Sequence, residues 1–455
     1  MIIDIVNNAN WKMVKIAFPV VFLIIFSSAA IMAQEPAGES KDVDGNKQLE
    51  IIDSVTTVLK QTYVFPDMAD QIEKYLRDRY HNGTYRDIDA GSAFVRALSE
   101  DLFSASNDWH LRVYYYPDEY FDTEIKQDPD PEEIQRRLKK NQRDNFAFRR
   151  VEVLPGNVGY IKFDGFFDAT DAASTAIAAL NFLGHCDAII IDLLDNGGGN
   201  PNMVQFLMSY FFDKEILFND LYNVGKNEHH QLWTNAYVPG PRLSKCDVYV
   251  LISYDTFSAG EALAYHLKHS GRGKVIGART AGGAHDCDFH NCRNLNIRIK
   301  VPCRKAISPF TGTNWEGVGV EPDIEVPSYK AFDIAYLEAV KAIRTRTTDS
   351  EVLAELDWIQ PALESNLNPV VVDEDVLKSY TGSYGPGKLT YDNATLLMQM
   401  PNRRPMKLVP MSQTMFRCPD HDEWRLEFHP NAEGVTDSLT AWDNEGNLFT
   451  VQRTE

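Results

Sequence analysis

The sequence feature that most constrains the fold is a strand, turn and helix unit over residues 248–264. An apolar, β-branched run ends at Ser253, and a helix-like run opens at Ser258 with Glu261 three positions on. At a helix N-terminus, free N–H groups and the helix dipole favour negative charge. Ser258 is therefore either an N-cap in a capping box with Glu261, stabilising by about 1 kcal/mol, or a nucleophile whose oxyanion the N–H of Ala259 would hold.

Strands and helices alternate from residue 151 onward, which predicts an α/β core over residues 151–330. Strands are predicted at 158–163, 188–194, 248–253, 274–277 and 294–301, and helices at 172–183 and 203–212. Several of the strands are short, continuous apolar runs, as expected for strands buried on both faces of a sheet.

The segments on either side of this core have other patterns. Helical periodicity dominates residues 49–120 and predicts a helical N-terminal module. Residues 121–150 are highly charged and predict a solvated connector. Residues 331–365 predict a helical bridge, and the short strands and turns of residues 370–455 predict a small β-domain.

The N-terminus is typical of a secretory signal peptide over residues 1–33. Two lysines precede an uncharged apolar run at 16–32, and cleavage is expected after Ala33 or Ala30. An uncleaved anchor is the alternative, although the run is short for a membrane span. Residues 34–48 are polar and predict a disordered leader. We therefore expect an exported protein, periplasmic or extracellular, without a membrane span once the signal is removed.

The charge balance bears on possible partners. The formal net charge is −20 at pH 7, whereas nucleic-acid binding needs basic patches that neutralise phosphates. A nucleic-acid partner is therefore not expected.

The cysteines leave two interpretations of one segment. Of the six cysteines, Cys287 and Cys292 are the nearest candidates for a disulfide. They lie in segment 285–292, which also carries two histidines and could in principle bind zinc. The spacing matches no standard zinc motif, so a local disulfide or a surface loop is the interpretation we favour. No metal or other cofactor is expected.

A glycine-rich segment follows the predicted strand at 188–194. It carries Asp192 and three consecutive glycines that end at Gly199. Glycines let backbone N–H groups approach a ligand closely, so Gly198 or Gly199 could complete an oxyanion hole; the alternative is a tight strand-to-helix turn. A dinucleotide site is not expected, because the Gly-x-Gly-x-x-Gly spacing is absent.

Taken together, these motifs resemble the C-terminal processing (tail-specific) serine peptidase family. Asp-Leu-x-x-Asn-x-Gly-Gly at 192–199 precedes Thr-x-Ser-Ala-x-Glu at 256–261, and Glu-Gly-Val-Gly-Val-Glu-Pro-Asp follows at 316–323. The likeness covers residues 48–330. It implies a crotonase-like (ClpP-like) β-β-α superhelix for the core and a serine peptidase activity.

The family has two branches that differ in the catalytic base. In one, a lysine follows the serine by 25 residues, and here that position is Gly283. The other resembles the tricorn core protease and the retinoid-binding repeats of the interphotoreceptor matrix protein. Its Asp-x-His-Leu-x-Val pattern matches residues 108–113, which include His110, and its glutamate matches Glu316, 58 residues after Ser258. The resemblance therefore implies the second branch.

This branch implies a role for each matched residue. Ser258 would be the nucleophile, His110 the general base and Glu316 the residue that orients the histidine. The N–H groups of Ala259 and of Gly198 or Gly199 would hold the oxyanion.

Rival residues are present for two of these roles. His285 is the rival base and Glu321 the rival acid. His266 and His269, on the helix after Ser258, are expected at the surface.

The expected function is a secreted serine endopeptidase that acts on polypeptides through an acyl-enzyme, without a cofactor. The 47 residues between His110 and Val158 are too few and too charged for a PDZ-like domain, which weakens the expectation of tail specificity. A non-catalytic binder of small apolar ligands or peptides on the same fold is the alternative.

Overall fold

The described chain divides into a helical module, a mixed α/β core and a barrel-like β-sheet. The structure is a computed structural model, and it describes residues 41–116, 131–431 and 434–454. Within these residues no helix combines the length and the apolar character that crossing a membrane requires.

The described residues form ten α-helices, which we number along the chain. They are α1 Gly45–Thr62, α2 Pro66–His81, α3 Gly91–Ser106, α4 Pro131–Arg143, α5 Ala169–Phe182, α6 Pro201–Met208, α7 Ala259–His269, α8 Ser328–Arg346, α9 Ser350–Leu367 and α10 Glu374–Ser379.

The strands form three sheets. The strands of the first two sheets are β1 Arg112–Tyr115, β2 Phe148–Leu154, β3 Val158–Phe163, β4 Ala188–Asp192, β5 Leu217–Asn223, β6 Glu228–Trp233, β7 Asp247–Ile252, β8 Lys274–Gly277, β9 Asp286–Cys292, β10 Ile297–Ile307 and β11 Ile324–Glu325. The third sheet contains β12 Gly382–Tyr384, β13 Gly387–Asp392, β14 Thr395–Gln399, β15 Met406–Pro410, β16 Met415–Arg417, β17 Trp424–Pro430, β18 Thr436–Asp443 and β19 Leu448–Gln452.

The core sheet has the order β11-β8-β7-β4-β3-β2, with parallel pairing from β11 to β3. Both faces of β4 are covered: Ile189 and Ile191 pack with the helices α5 to α7, and Ile190 packs with α8 and α9. Parallel strands end at the same edge of a sheet, where ligands and reacting groups gather. The glycine loop after β4 and Ser258 after β7 therefore lie side by side.

A second sheet joins the helical module to the core. Its order is β1-β10-β5-β6, with β9 also pairing with β10. The antiparallel pairing of β1 with β10 sets Val113 opposite Ile299, and both side chains pack with the N-terminal helices. This pairing fixes β1, and with it the residue His110 just before it, against the core.

Strands β12 to β19 form an antiparallel meander of eight strands. Tyr384 at the end of β12 bridges to Arg453 just after β19, and Thr454 N–H donates to the Ser383 carbonyl at 2.9 Å. The first and last strands therefore meet, and the sheet closes as a barrel.

The structure corrects the leader expected at residues 34–48. Asp42 bridges to Ala90, Val43 is buried among the N-terminal helices, and α1 already begins at Gly45 behind the N-cap Asp44. The segment is ordered from residue 41 because it contributes an apolar side chain and a cap to the module. The expected signal peptide at 1–33 lies outside the described residues.

Candidate active site

Ser258 occupies a strained turn between β7 and α7. Its φ is +53° and its ψ −113°, a backbone conformation that costs about 1–3 kcal/mol for a residue other than glycine. Such strain persists only where the surroundings impose it. Here the turn directs the Ser258 hydroxyl away from the helix axis and towards His110.

Side-chain and backbone hydrogen bonds hold the turn against the segment that follows the neighbouring strand β4. Ser253 Oγ donates to the Leu194 carbonyl at 2.5 Å, and Thr256 Oγ donates to the Leu193 carbonyl at 2.6 Å. The Phe257 N–H donates to the Asn196 carbonyl at 2.9 Å. These bonds fix the serine turn to the segment after β4.

Glu261 supplies the acidic half of a capping box and does more than cap the helix. Its fully buried carboxylate accepts from Ser258 N–H at 2.8 Å, from Thr280 Oγ at 2.5 Å, and from the N–H groups of Gly282 and Gly283 at 2.8 and 2.9 Å. Burial raises the pKa of Glu261 to about 7. The serine turn and the loop that follows β8 are thus held by one side chain.

The glycine loop lies directly against the serine turn. A Cβ on Gly198 would stand 2.8 Å from Ser258 Cβ and 3.0 Å from Ala259 N, and a Cβ on Gly199 would collide with the Phe166 carbonyl. Both glycines also have positive φ, so other residues would be strained there. The close backbone approach expected from the sequence is present.

The two glycines differ as oxyanion donors. The Gly198 N–H already donates to Asn196 Oδ1 at 2.9 Å. Across the described residues, the N–H groups of Gly199 and Ala259 have no acceptor. The geometry therefore favours Gly199 over Gly198 as the partner of Ala259.

His110 reaches Ser258 from the helical module. It lies between α3 and β1 and is 1% exposed, and its Nε2 is 3.4 Å from Ser258 Oγ. Its ring packs on Phe257 with 4.8 Å between ring centroids. Its backbone N–H donates to Asp108 Oδ1 at 2.8 Å, which fixes the turn that presents the ring.

Gly283, where the other branch of the family has a lysine, has no room for a side chain. A Cβ there would lie 2.7 Å from His110 Cε1 and would collide with the Phe257 ring. The imidazole therefore occupies the space beside the serine into which a side chain at position 283 would have to extend.

Two carboxyl groups lie close to the His110 ring. One ring nitrogen of His110 and one carboxylate oxygen each of Asp108 and Glu316 lie within 4.8 Å of one another, and Asp108 Oδ1 is 3.9 Å from His110 Nδ1. Among the described residues, His110 Nδ1 has no hydrogen-bond partner. Glu316 is thus close to the histidine, as expected, but is not hydrogen-bonded to it.

Glu316 is held by the backbone of the loop after β8. Its Oε2 accepts from the N–H groups of Ala284 at 2.6 Å and His285 at 3.2 Å. Trp315 Nε1 donates to the Gly283 carbonyl at 3.0 Å, which ties the two loops together. The same segment therefore positions both Gly283 and Glu316.

Burial shapes the acid–base properties of the cluster. It raises the pKa of Asp108 and, with the nearby charge of Asp108, raises the pKa of Glu316 to about 8. Burial also lowers the pKa of His110 well below its usual range. The histidine is thus neutral at pH 7, as a general base must be, and Glu316 is mostly protonated at that pH.

The rival residues lie elsewhere. His285 is buried with its ring against Phe65, and its Nε2 is 3.9 Å from Glu316 rather than near Ser258 Oγ. Glu321 is exposed and pairs with Arg279. Neither is placed to replace His110 or Glu316.

Two expectations about neighbouring residues are wrong. His266 is fully buried against Phe218 and Trp315, because it lies on the inner face of α7, whereas His269 is exposed as expected. Cys287 and Cys292 lie at opposite ends of β9. At about 3.3 Å per residue they are too far apart for a disulfide, and all six cysteines are free thiols.

Asp108 is the site residue that sequence reasoning missed. It lies two positions before His110 in the quoted motif, and Tyr63 OH donates to its Oδ2 at 2.9 Å. An Asp-x-His pattern predicts a local Asx turn. Its proximity to Glu316, however, arises only from tertiary packing of two distant segments.

Comparison with known proteins assigns the chain to a family. The model of peptidase family S41 matches residues 157–326, and the model of the N-terminal domain of this family in eukaryotic IRBP matches residues 46–154. Together the two matches span more than half of the chain, and they include Ser258, Glu316 and His110.

Solved structures are similar at low sequence identity. The photosystem II D1 C-terminal processing protease is 15% identical, with a TM-score of 0.40, over 62% of this chain and 93% of that chain. Mature CPAF is 13% identical, with a TM-score of 0.44, over 69% and 98%. A lipoprotein from Streptococcus agalactiae is 14% identical, with a TM-score of 0.43, over 67% and 96%. The family models confirm the resemblance read from the motifs: the chain belongs to peptidase family S41 and is a peptidase.

Proposed function

We propose that this protein is a secreted serine endopeptidase that uses Ser258, His110 and Glu316. The observation that carries the proposal is the 3.4 Å approach of a neutral, buried His110 Nε2 to Ser258 Oγ. Hydrogen bonds of catalytic pairs are often long before substrate binds and shorten to about 2.6–3.2 Å in the reacting complex.

The reaction proceeds through an ester intermediate. Ser258 Oγ forms a bond to the substrate carbonyl carbon while its proton moves to His110 Nε2. The C–N bond then breaks, and His110 gives the proton to the departing amine. Water, deprotonated by the same histidine, attacks the ester, and the acid product leaves as the proton returns to Ser258.

Charges that develop in this reaction meet groups that are already in place. The oxyanion would accept hydrogen bonds from the N–H groups of Ala259 and Gly199, and one such donor typically contributes about 10²–10³ in rate. The imidazolium would be stabilised by the nearby carboxyl groups of Glu316 and Asp108. Stabilisation requires at least one of them to be ionised.

Two further elements of the proposal come from the sequence. The apolar run at the N-terminus supports a signal peptide at 1–33 and therefore export of the protein. The β-β-α superhelix implied by the family agrees with the parallel order β8-β7-β4-β3 of the core sheet.

Digestion of β-casein tests the activity directly, with cleavage sites mapped by mass spectrometry. We expect internal cuts by the wild type and none by Ser258→Ala. Ser270→Ala, at the other end of α7, is the matched control and should cut like the wild type. If the folded wild type cuts no polypeptide and instead binds small apolar ligands next to Ser258, the non-catalytic binder replaces the peptidase.

A further inference from the structure

The C-terminal barrel encloses a cavity that is remote from Ser258 in sequence and in fold. The cavity has a volume of about 390 Å³, within the range of pockets that hold small ligands, ~300–1,000 Å³. An eight-stranded barrel is just wide enough either to be filled by its own side chains or to hold one small ligand. Here the side chains fill one part of the interior only.

Aromatic residues close one part of the barrel interior. Tyr380 stacks on Phe428 with 4.2 Å between ring centroids, and Phe416 meets Phe428 edge-on at 5.4 Å. Tyr380 OH donates to the Gln413 carbonyl at 3.0 Å. This packed cluster leaves the cavity to the remaining part of the interior.

The cavity wall is almost entirely apolar and adaptable. It includes three methionines, Met398, Met400 and Met406, whose unbranched side chains adjust to the shape of an occupant. Leu408, Leu439 and other aliphatic side chains complete the wall. A wall of this kind suits an aliphatic chain better than a polar molecule.

The rim combines exposed apolar groups with a cation. Trp424 and Phe449 line the cavity and are 42% and 62% exposed. Arg403 also lines it; its guanidinium forms no ion pair among the described residues, although its charge helps to lower the pKa of Glu423. His421, the other lining residue that can carry a positive charge, is hydrogen-bonded to Glu423 at 3.0 Å. The polar end of an occupant would therefore meet a positive charge.

We propose that the C-terminal barrel is a binding site for a single-chain aliphatic carboxylate. The alkyl chain would lie among the three methionines, and the carboxylate would lie at Arg403. The charge of the rim favours an anionic head over a cationic one, and the apolar wall takes the chain. The site is separate from the peptidase centre, and its existence does not depend on the proposed proteolysis.

Titration calorimetry of the full chain with dodecanoate tests the proposal, with dodecan-1-ol and dodecyltrimethylammonium as probes of the head group. We expect one dodecanoate per chain, weaker binding of the alcohol and the weakest binding of the cation. Equal or tighter binding of the cation would overturn the assignment of the head to Arg403, and no binding of dodecanoate would overturn the site.

Variants locate the ligand. Ala441, on β18, lines the cavity, so Ala441→Phe should fill it and weaken dodecanoate about tenfold or more. Arg403→Gln should weaken dodecanoate about threefold, as expected for an exposed ion pair, and leave dodecanol unchanged. The neighbouring Arg404→Gln is the matched control, since Arg404 does not line the cavity.

A second measurement does not require the cavity to be filled. Bound 2-bromododecanoate, whose bromine is next to the carboxylate, should quench the fluorescence of Trp424 at the rim, one of seven tryptophans in the chain, and Trp424→Phe should abolish the quenching. If Ala441→Phe fails to fold, this result decides alone. Quenching that survives in Trp424→Phe would place the ligand elsewhere and overturn the proposal.

Discussion

At the scale of the residue, the unusual feature is a histidine with two carboxyl groups close to its ring. Asp108 is buried and Glu316 is partly buried, and their mutual repulsion makes it costly to ionise both. Glu316 is therefore mostly protonated at neutral pH and ionises as the pH rises. Its charge state decides how well the imidazolium is stabilised.

The pH dependence of kcat/KM should report this pair. Because the pKa of Glu316 is raised to about 8, the wild type should gain activity as the pH rises through this region. Asp108→Asn keeps an acceptor for the His110 N–H but removes the repelling charge, so the rise should move to lower pH. An unchanged profile in Asp108→Asn would show that the two carboxyl groups do not interact.

At the scale of the element, the site depends on loops that meet at one sheet edge. The strand–turn–helix unit and the glycine loop are local features of the sequence, and β3 and β8 have the predicted bounds. Strands β5, β6 and β9 were not predicted, because β6 and β9 are mostly polar and β5 mixes polar and apolar residues without strict alternation. The sheet that positions His110 was therefore predicted only in part, through the strand at 294–301 that overlaps β10.

Some features of the candidate site could likewise be predicted from the sequence, and others could not. Motif spacing was enough to single out Ser258, His110 and Glu316 as candidates, and the structure brings these three side chains close together. Whether the Gly198 N–H is free to donate to an oxyanion could not be predicted, because this depends on the orientation of the Asn196 side chain. The burial of His266 depends on which face of α7 meets the second sheet, and the helix is apolar on several sides.

Gly283 gives a prediction about the loop after β8. Gly283→Ala should push the His110 ring away from Ser258, since the added Cβ would lie 2.7 Å from Cε1. We expect kcat/KM to fall about tenfold or more, with the fold retained by circular dichroism. Gly225→Ala is the control, because a Cβ there meets no atom closer than 3.5 Å. Full activity of Gly283→Ala would contradict the packing described here.

At the scale of the whole molecule, three parts contribute differently. The helical module supplies His110, the core supplies Ser258 and Glu316, and the barrel contributes none of them. The barrel is attached through α9: Trp358 Nε1 donates to the Asp422 carbonyl at 3.0 Å, and the Arg425 guanidinium lies 3.8 Å from the centre of the Trp358 ring. The candidate site thus needs the first two parts to be docked together.

Buried neutral histidines should make the fold sensitive to acid. Burial lowers the pKa of His266 to about 3, whereas an unfolded histidine titrates near 6.5. The unfolded state therefore binds the proton first as the pH falls, and stability declines below pH 6.5. Between pH 7 and 5 this single group costs about 2 kcal/mol.

His266→Leu should remove that loss. Its free energy of unfolding, measured by urea denaturation, should fall less between pH 7 and 5 than that of the wild type. His269→Leu, at the exposed end of the same helix, should reduce this fall less than His266→Leu, because the pKa of His269 is lowered but its side chain is exposed. An identical pH dependence in His266→Leu and the wild type would contradict the buried, neutral state of this histidine.

The most direct test of the central claim is the rate at which a fluorophosphonate labels the folded protein, with the labelled residue identified by mass spectrometry. We expect labelling of Ser258 in the wild type and at a similar rate in His285→Ala. We expect no labelling of Ser258→Ala and a rate reduced about 10²-fold or more in His110→Ala. Labelling of His110→Ala at the wild-type rate, or loss of labelling in a folded His285→Ala, would contradict the role of His110 as the base.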